Sequence, residues 1–326
     1  VKTVFFYRDY RCFSGGHLAL WRYYNHVDSA SGYRAQILFS PETVWDESNP
    51  WKTVRAQALK SRSDCRPDML LLAGTDWELL EPSERLAPAV PIVNRIASVL
   101  HADPANARYH FLHYPAIRIC DSSEVHDAIL STGRVNGPVF VIPDGIDVGR
   151  NLESEPEAVR NTDVLVAAYK NPKLGIELAA RLRQQGCTVE LLTEMMPRAA
   201  YLDRVRCARV GVFLPLPVEG IYIPPLEAMA LKTVVVLPKA IGSGSYCHPG
   251  ENCFQPRYEA AAILEAVNAA LRLSPEDRVK MIQRATATAA PYTPESERIR
   301  LLEILDRVPE LWRNIHPTGS PLTHSL

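Results

Sequence analysis

The sequence predicts an α/β protein built from two doubly wound, Rossmann-like domains, and three observations carry that prediction. Short apolar runs alternate with apolar residues at helical spacing, the pattern of a parallel sheet with crossover helices. A polar, charged stretch over residues 149–161 then breaks the alternation without offering an apolar face, as an interdomain linker does. Beyond it the alternation restarts, and 326 residues suit two domains of ordinary size. The expected organisation is a first domain over 1–150, a linker over 151–161 and a second domain over 162–290. A final segment, 291–326, would cross back to the first domain as a helix and end in a loose tail.

In the first half, strands are expected at 1–7, 34–40, 68–73, 91–98, 117–122 and 138–142. Ser14-Gly15-Gly16-His17 reads as a turn, after which Leu20, Trp21, Tyr24 and Val27 recur at helical spacing. A further helix is expected at 124–130. In the second half, strands are expected at 163–168, 188–193, 209–214 and 233–237, and helices at 174–184, 225–231, 260–271 and 274–289. The last helix, expected at 298–306, carries Ile299, Leu301, Leu302, Ile304 and Leu305, more apolar surface than one exposed face needs. In doubly wound sheets the ligand crevice lies at the carboxyl ends of the strands, so the expected site is the cleft between the domains.

Composition excludes several function classes. The formal net charge of -1 gives no global attraction for nucleic acid or an anionic membrane. No apolar run approaches the roughly 18 residues of a membrane helix. Seven cysteines without a CxxC pair suit reduced thiols rather than a disulfide framework or a zinc site. The opening, strand-like segment lacks a signal-peptide pattern, so the expected location is the cytoplasm, free or peripheral to the inner face of the membrane.

The segment richest in chemistry is Glu219-Gly220-Ile221-Tyr222-Ile223-Pro224-Pro225-Leu226-Glu227. It places two carboxylates eight positions apart across a strand exit and a helix start. Proline suits a first helical turn, and Glu227 is expected in that turn. The N–H groups of Gly220, Ile221 and Tyr222, with the helix dipole, would form an anion site. A diphosphate held there would leave one carboxylate for ribose hydroxyls and the other for sugar hydroxyls. The plainer alternative is a helix start with favourably placed acids. Gly15-Gly16 would let a phosphate or a sugar approach the backbone closely, or would simply form a strand–helix turn.

Glu219 to Glu227 resembles the E-x7-E motif of retaining GT-B glycosyltransferases, family 4 in particular, and Ala228-Met229-Ala230 with the strand after it resembles that family's continuation. Three other pieces arrive in the family's order. Ser14-Gly15-Gly16 is similar to its glycine loop, Ile142-Pro143-Asp144-Gly145-Ile146-Asp147 to its interdomain junction, and Gly250-Glu251-Asn252-Cys253-Phe254 to the turn after its donor site. The resemblance implies a metal-independent, retaining transfer of a sugar from a nucleotide-sugar (a UDP-, GDP- or dTDP-sugar) to a glycan, lipid-linked or other hydroxyl acceptor, as in polysaccharide biosynthesis. No cofactor, metal or nucleic acid is implied, and the first domain would be the acceptor side.

Residue by residue, the resemblance gives Lys170 the place of the family's clamp arginine and Lys173 that of its lysine, with Gly175 following. Lysine meets phosphate as a point charge, without arginine's two-pronged fork. The implied catalytic set is Lys170, Lys173, Glu219 and His101, the histidine that follows the expected fourth strand; His113 is the second candidate, and a hydrogen-bonded structural role is the alternative for either. The implied donor-binding set is Gly15, Gly16, Gly220, Ile221, Tyr222 and Glu227. Lys232 stands where the family has glycine and is expected to set a helix end. No DxD metal motif occurs, and no side chain identifies itself as a nucleophile. Two other readings fit the same architecture: a non-catalytic module that binds sugar nucleotides or scaffolds a partner, and a nucleotide-sugar epimerase or sugar phosphorylase.

Overall fold

The computed structural model describes residues 1–12, 14–149 and 160–315. Two compact units emerge, one from Val1–Pro143 with the chain from Glu297 onward, the other from Asp144–Ser296. The first boundary falls inside the Ile142–Asp147 signature. The expected linker lies outside the described residues except for Arg160 and Asn161, and so does the tail after Ile315. Arg160 is anchored within the second unit, donating to Leu231 O at 2.9 Å and Thr233 Oγ1 at 3.0 Å.

Among the described residues, the first unit holds a six-stranded parallel sheet. Its strands are β1 (Lys2–Arg8), β2 (Tyr33–Phe39), β3 (Met69–Ala73), β4 (Ile92–Ile96), β5 (Ile117–Cys120) and β6 (Val139–Val141), in the order β2-β1-β3-β4-β5-β6. Chain order reverses between β1 and β3, the switch point of a doubly wound sheet. Alternate residues of the central strands face opposite sides. Val4, Phe6, Leu71 and Val93 meet Leu20, Tyr23 and Val27 of helix α1 (Gly15–Asp28), whereas Phe5, Leu70 and Leu72 meet Trp77 and Phe111. Helix α2 (Pro82–Leu86) is a single turn, and α3 (Ser123–Ser131) covers the far end of the sheet through Val125 and Ile129.

The second unit repeats the plan with β7 (Thr162–Ala167), β8 (Val189–Leu192), β9 (Ala208–Phe213) and β10 (Val234–Val236), all parallel, in the order β10-β9-β7-β8. Its switch point lies between β7 and β9, whose ends are in register at Ala167 and Phe213. Val164, Val166, Val210 and Val212 pack on α4 (Pro172–Gln184) and α7 (Ala260–Leu271). The opposite face packs on α5 (Arg198–Cys207), α6 (Ile223–Ala230) and α8 (Pro275–Ala289).

Several elements differ from the sequence expectation, among them the single-turn α2, which was not expected. Helix α5 was not expected, because its ten residues carry three arginines and only Tyr201 and Val205 are buried, too few to set an apolar period. The last helix, α9, runs Pro294–Ile315 rather than 298–306, and Leu301, Ile304, Leu305, Val308 and Leu311 bury an i, i+3/i+4 stripe in the first unit's core. Among the described residues, no helix is long and apolar enough to cross a membrane.

Candidate functional site

The second unit's switch point gathers most of the expected site. As β7 ends, Asn171 caps α4 by accepting from Leu174 N at 3.3 Å, and Pro172 takes the first helical position. Lys170 therefore sits between strand end and helix cap, and Lys173 stands exposed in the first turn. Gly175 is fixed by packing, since a Cβ there would lie 2.2 Å from the Ala168 Cβ. The glycine lets α4 lie close against β7, which holds both lysines at the sheet's carboxyl edge.

From β9 the chain runs through Pro215 and Pro217 to Glu219. Lys170 Nζ lies 2.5 Å from Glu219 Oε1 and 4.9 Å from the centroid of the Tyr222 ring. The same carboxylate oxygen accepts from Leu216 N at 2.9 Å. Glu219 is thus fixed by its own loop and by a cation from the neighbouring strand end. An ammonium has three N–H donors, so Lys170 can hold Glu219 and still offer hydrogen bonds to a ligand.

The helix start differs from the expected anion site. Helix α6 begins at Ile223 with Tyr222 as its cap, and its second and third residues are prolines without an N–H. The Tyr222 N–H donates to Gly242 O at 3.3 Å and is spent inside the unit. Gly242, at φ +91°, is required there, because a Cβ would stand 2.2 Å from Gly220 O. Gly220 is itself buried. Tyr222 accordingly contributes its ring beside Lys170, and its carbonyl takes the Tyr246 hydroxyl at 2.6 Å. Burial raises the pKa of Tyr222, so the phenol stays neutral.

Glu227 falls one turn into α6 rather than in its first turn, because the helix starts two residues earlier than expected. Its side chain is 2% exposed and pairs with Arg198 Nη1 at 2.6 Å. Arg198 also donates to Asp147 O at 2.6 Å, linking the start of α5 to the junction signature. Sequence reasoning missed Arg198. Its signal was the pair Pro197-Arg198, a helix opening with too little apolar periodicity after it to be noticed.

Gly15, Gly16 and His101 lie in the first unit. Ser14 caps α1, accepting from His17 N at 3.3 Å, so the expected turn is the first turn of a helix. Neither glycine has a positive φ, and a Cβ on either would meet nothing closer than 3.8 Å. The fold of the unit therefore makes no demand for glycine at either position. His101 is buried in a 3-10 turn, with Nδ1 3.0 Å from Ser98 O. A carbonyl can only accept, so Nδ1 carries the proton. Burial depresses the His101 pKa to about 4, which keeps the ring neutral. Lys232 adopts φ 62°, and Thr233 N donates to Ala228 O at 2.9 Å; the residue terminates α6 in the left-handed conformation that glycine favours. No group of His, Cys, Asp and Glu among the described residues could hold a metal ion.

No family model matches the sequence, and no curated protein matches it. Solved structures do. Anabaena Alr3699/HepE in complex with UDP-glucose superposes with a TM-score of 0.69 at 17% identity, over 93% of this chain and 99% of that one. Sucrose-phosphate synthase from Thermosynechococcus elongatus gives 0.67 at 13% identity, over 95% and 100%. A glycosyltransferase from Rickettsia africae gives 0.62 at 12% identity, over 98% and 99%. With the two parallel sheets, this likeness defines the fold as GT-B, two Rossmann-like units in one chain.

Proposed function

We propose that this chain is a glycosyltransferase that moves a sugar from a nucleoside diphosphate donor to a hydroxyl of a carbohydrate or lipid-linked acceptor, with retention of configuration and without a bound metal. The observation that carries the reading is the pair of carboxylates, Glu219 and Glu227, each held by a cation beside the switch point of the second sheet. That is the edge at which doubly wound sheets bind nucleotides. Lys170 and Lys173 meet the diphosphate, and Glu219 accepts from the sugar hydroxyls. Glu227 takes the ribose. Gly15, Gly16 and His101 remain the first unit's candidate ligand contacts. The neighbour Alr3699/HepE, in complex with UDP-glucose, supports a nucleotide-sugar as the donor.

In the reaction the bond between the sugar's anomeric carbon and the leaving phosphate oxygen breaks. The acceptor oxygen bonds to the same carbon from the same face, and its proton passes to the leaving phosphate. Charge grows on the diphosphate as the bond breaks, so lysines at that point stabilise the transition state more than the ground state. Calorimetry against UDP-, GDP-, dTDP- and ADP-sugars, then turnover with and without EDTA, tests the reading. Binding of one donor class and EDTA-resistant release of its nucleoside diphosphate are expected. Binding without release would favour a non-catalytic module, and activity lost to EDTA and restored by manganese would remove the metal-free part.

A further inference from the structure

Arg198 enters the reading so far only as the cation on Glu227, and Tyr201 has no part in it. Arg198 opens α5, and its guanidinium is fixed at two points, Nη1 2.6 Å from Glu227 Oε1 and Nη2 2.6 Å from Asp147 O. The cation is 44% exposed while its carboxylate partner is 2% exposed. Glu227 sits between Leu226 and Ala228, both fully buried, where an apolar side chain would serve the core at least as well. A buried carboxylate reached by a half-exposed guanidinium is therefore poorly explained by stability.

Tyr201 lies three residues along α5, on the same helical face as Arg198. Its side chain is more than nine-tenths buried, and its hydroxyl has no hydrogen-bond partner among the described residues. Unpaired buried hydroxyls are uncommon and often await a ligand or water. The charge of Glu227 lies near enough to add to the burial that raises the Tyr201 pKa, so the phenol is a neutral donor beside that carboxylate. Arg198, Tyr201 and Glu227 thus form a polar group at the start of α5, on elements other than those carrying Lys170 and Glu219.

We infer that Arg198 is the positioning residue for the ribose end of the donor, holding the Glu227 carboxylate oriented toward the 2′ and 3′ hydroxyls, with the Tyr201 hydroxyl donating to the nucleoside. The inference rests on the donor reading of Glu227. It separates two functions along the site. The lysines answer for the diphosphate, and the α5–α6 pair answers for the sugar of the nucleoside.

The test is calorimetry of the full chain with UDP and GDP, each beside its 2′-deoxy form, and with inorganic diphosphate. The wild type should prefer the ribose form by about tenfold or more, the scale of a hydrogen bond to a charged group. R198A should shrink that preference to near parity and leave diphosphate affinity unchanged, R198K should recover part of it, and Y201F should weaken the nucleotide but not diphosphate. If R198A fails to fold, R198K carries the comparison, with a smaller preference than the wild type. An R198A or R198K protein with the wild-type preference overturns the inference, and so does an equal loss for nucleotide and diphosphate, the mark of a merely structural role. Absence of nucleoside diphosphate binding by the wild type is a different failure, that of the donor reading, and the inference falls with it.

Discussion

Replacing Lys170 with alanine separates what the lysine does for the fold from what it does for the reaction. Its side chain is 37% exposed, and its partner Glu219, 12% exposed, keeps the bond from Leu216 N at 2.9 Å when the lysine is gone. Solvent screening holds such a pair to about 0–1 kcal/mol, so the melting temperature should fall by no more than about 2–4 °C. The effect on turnover should be far larger. A cation aimed at developing charge is worth about 2.7–4 kcal/mol of the barrier when it acts as an oxyanion donor does, which is about 100- to 1000-fold in kcat. Single-turnover kinetics at saturating donor, with calorimetric Kd values measured in parallel, reads both quantities. If K170A keeps kcat and only raises KM, the lysine binds ground and transition states alike and has no part in the bond-breaking step. A collapse of the melting temperature would contradict the assignment as well, because the ion pair would then be holding the loop after β9.

Three further outcomes follow from the structure. Glu227→Ala should weaken nucleoside diphosphate binding by about 1.5–3 kcal/mol, and an unchanged calorimetric Kd would remove the residue from the site. Lys232→Gly should raise stability by about 1 kcal/mol in chemical denaturation, because a left-handed φ of 62° strains a side-chain-bearing residue and not glycine; a loss of stability would contradict that view of the α6 terminus. His101 has a folded pKa near 4, below the unfolded value, so acid favours the unfolded chain. Its stabilising contribution is full above about pH 6.5 and is lost as pH falls toward 4, amounting to about 2 kcal/mol between pH 7 and pH 5. Urea melts of the wild type and His101→Gln at those two pH values should show a shallower acid loss in the variant, and parallel losses would refute the assignment.

The doubly wound architecture was legible because the central strands are buried on both faces and appear in sequence as apolar runs such as Met69–Ala73. Positions at strand exits were legible for the same reason. Lys170 and Glu219 lie in the loops that leave β7 and β9, and the structure brings them to 2.5 Å. What stayed hidden depends on contacts distant in sequence. Nothing in the E-x7-E segment announces that Gly242 takes up the Tyr222 N–H, which removes a donor from the expected anion site. Arg198 was hidden because α5 presents almost no apolar period, and its pairing with Glu227, 29 positions away in sequence, is set by the packing of α5 on α6. Lys232 was placed at a helix end by sequence alone, and its positive φ supplies the physical reason.

The proposed function requires that the chain break the bond between a sugar and a nucleoside diphosphate. Proton NMR of the wild type with its best-bound nucleotide-sugar, followed from the first minutes, observes that bond directly. Nucleoside diphosphate should appear in step with donor loss, and the released or transferred sugar should first carry the donor's anomeric configuration. An unchanged donor spectrum at saturating protein would contradict glycosyl transfer, and first appearance of the opposite anomer would contradict retention.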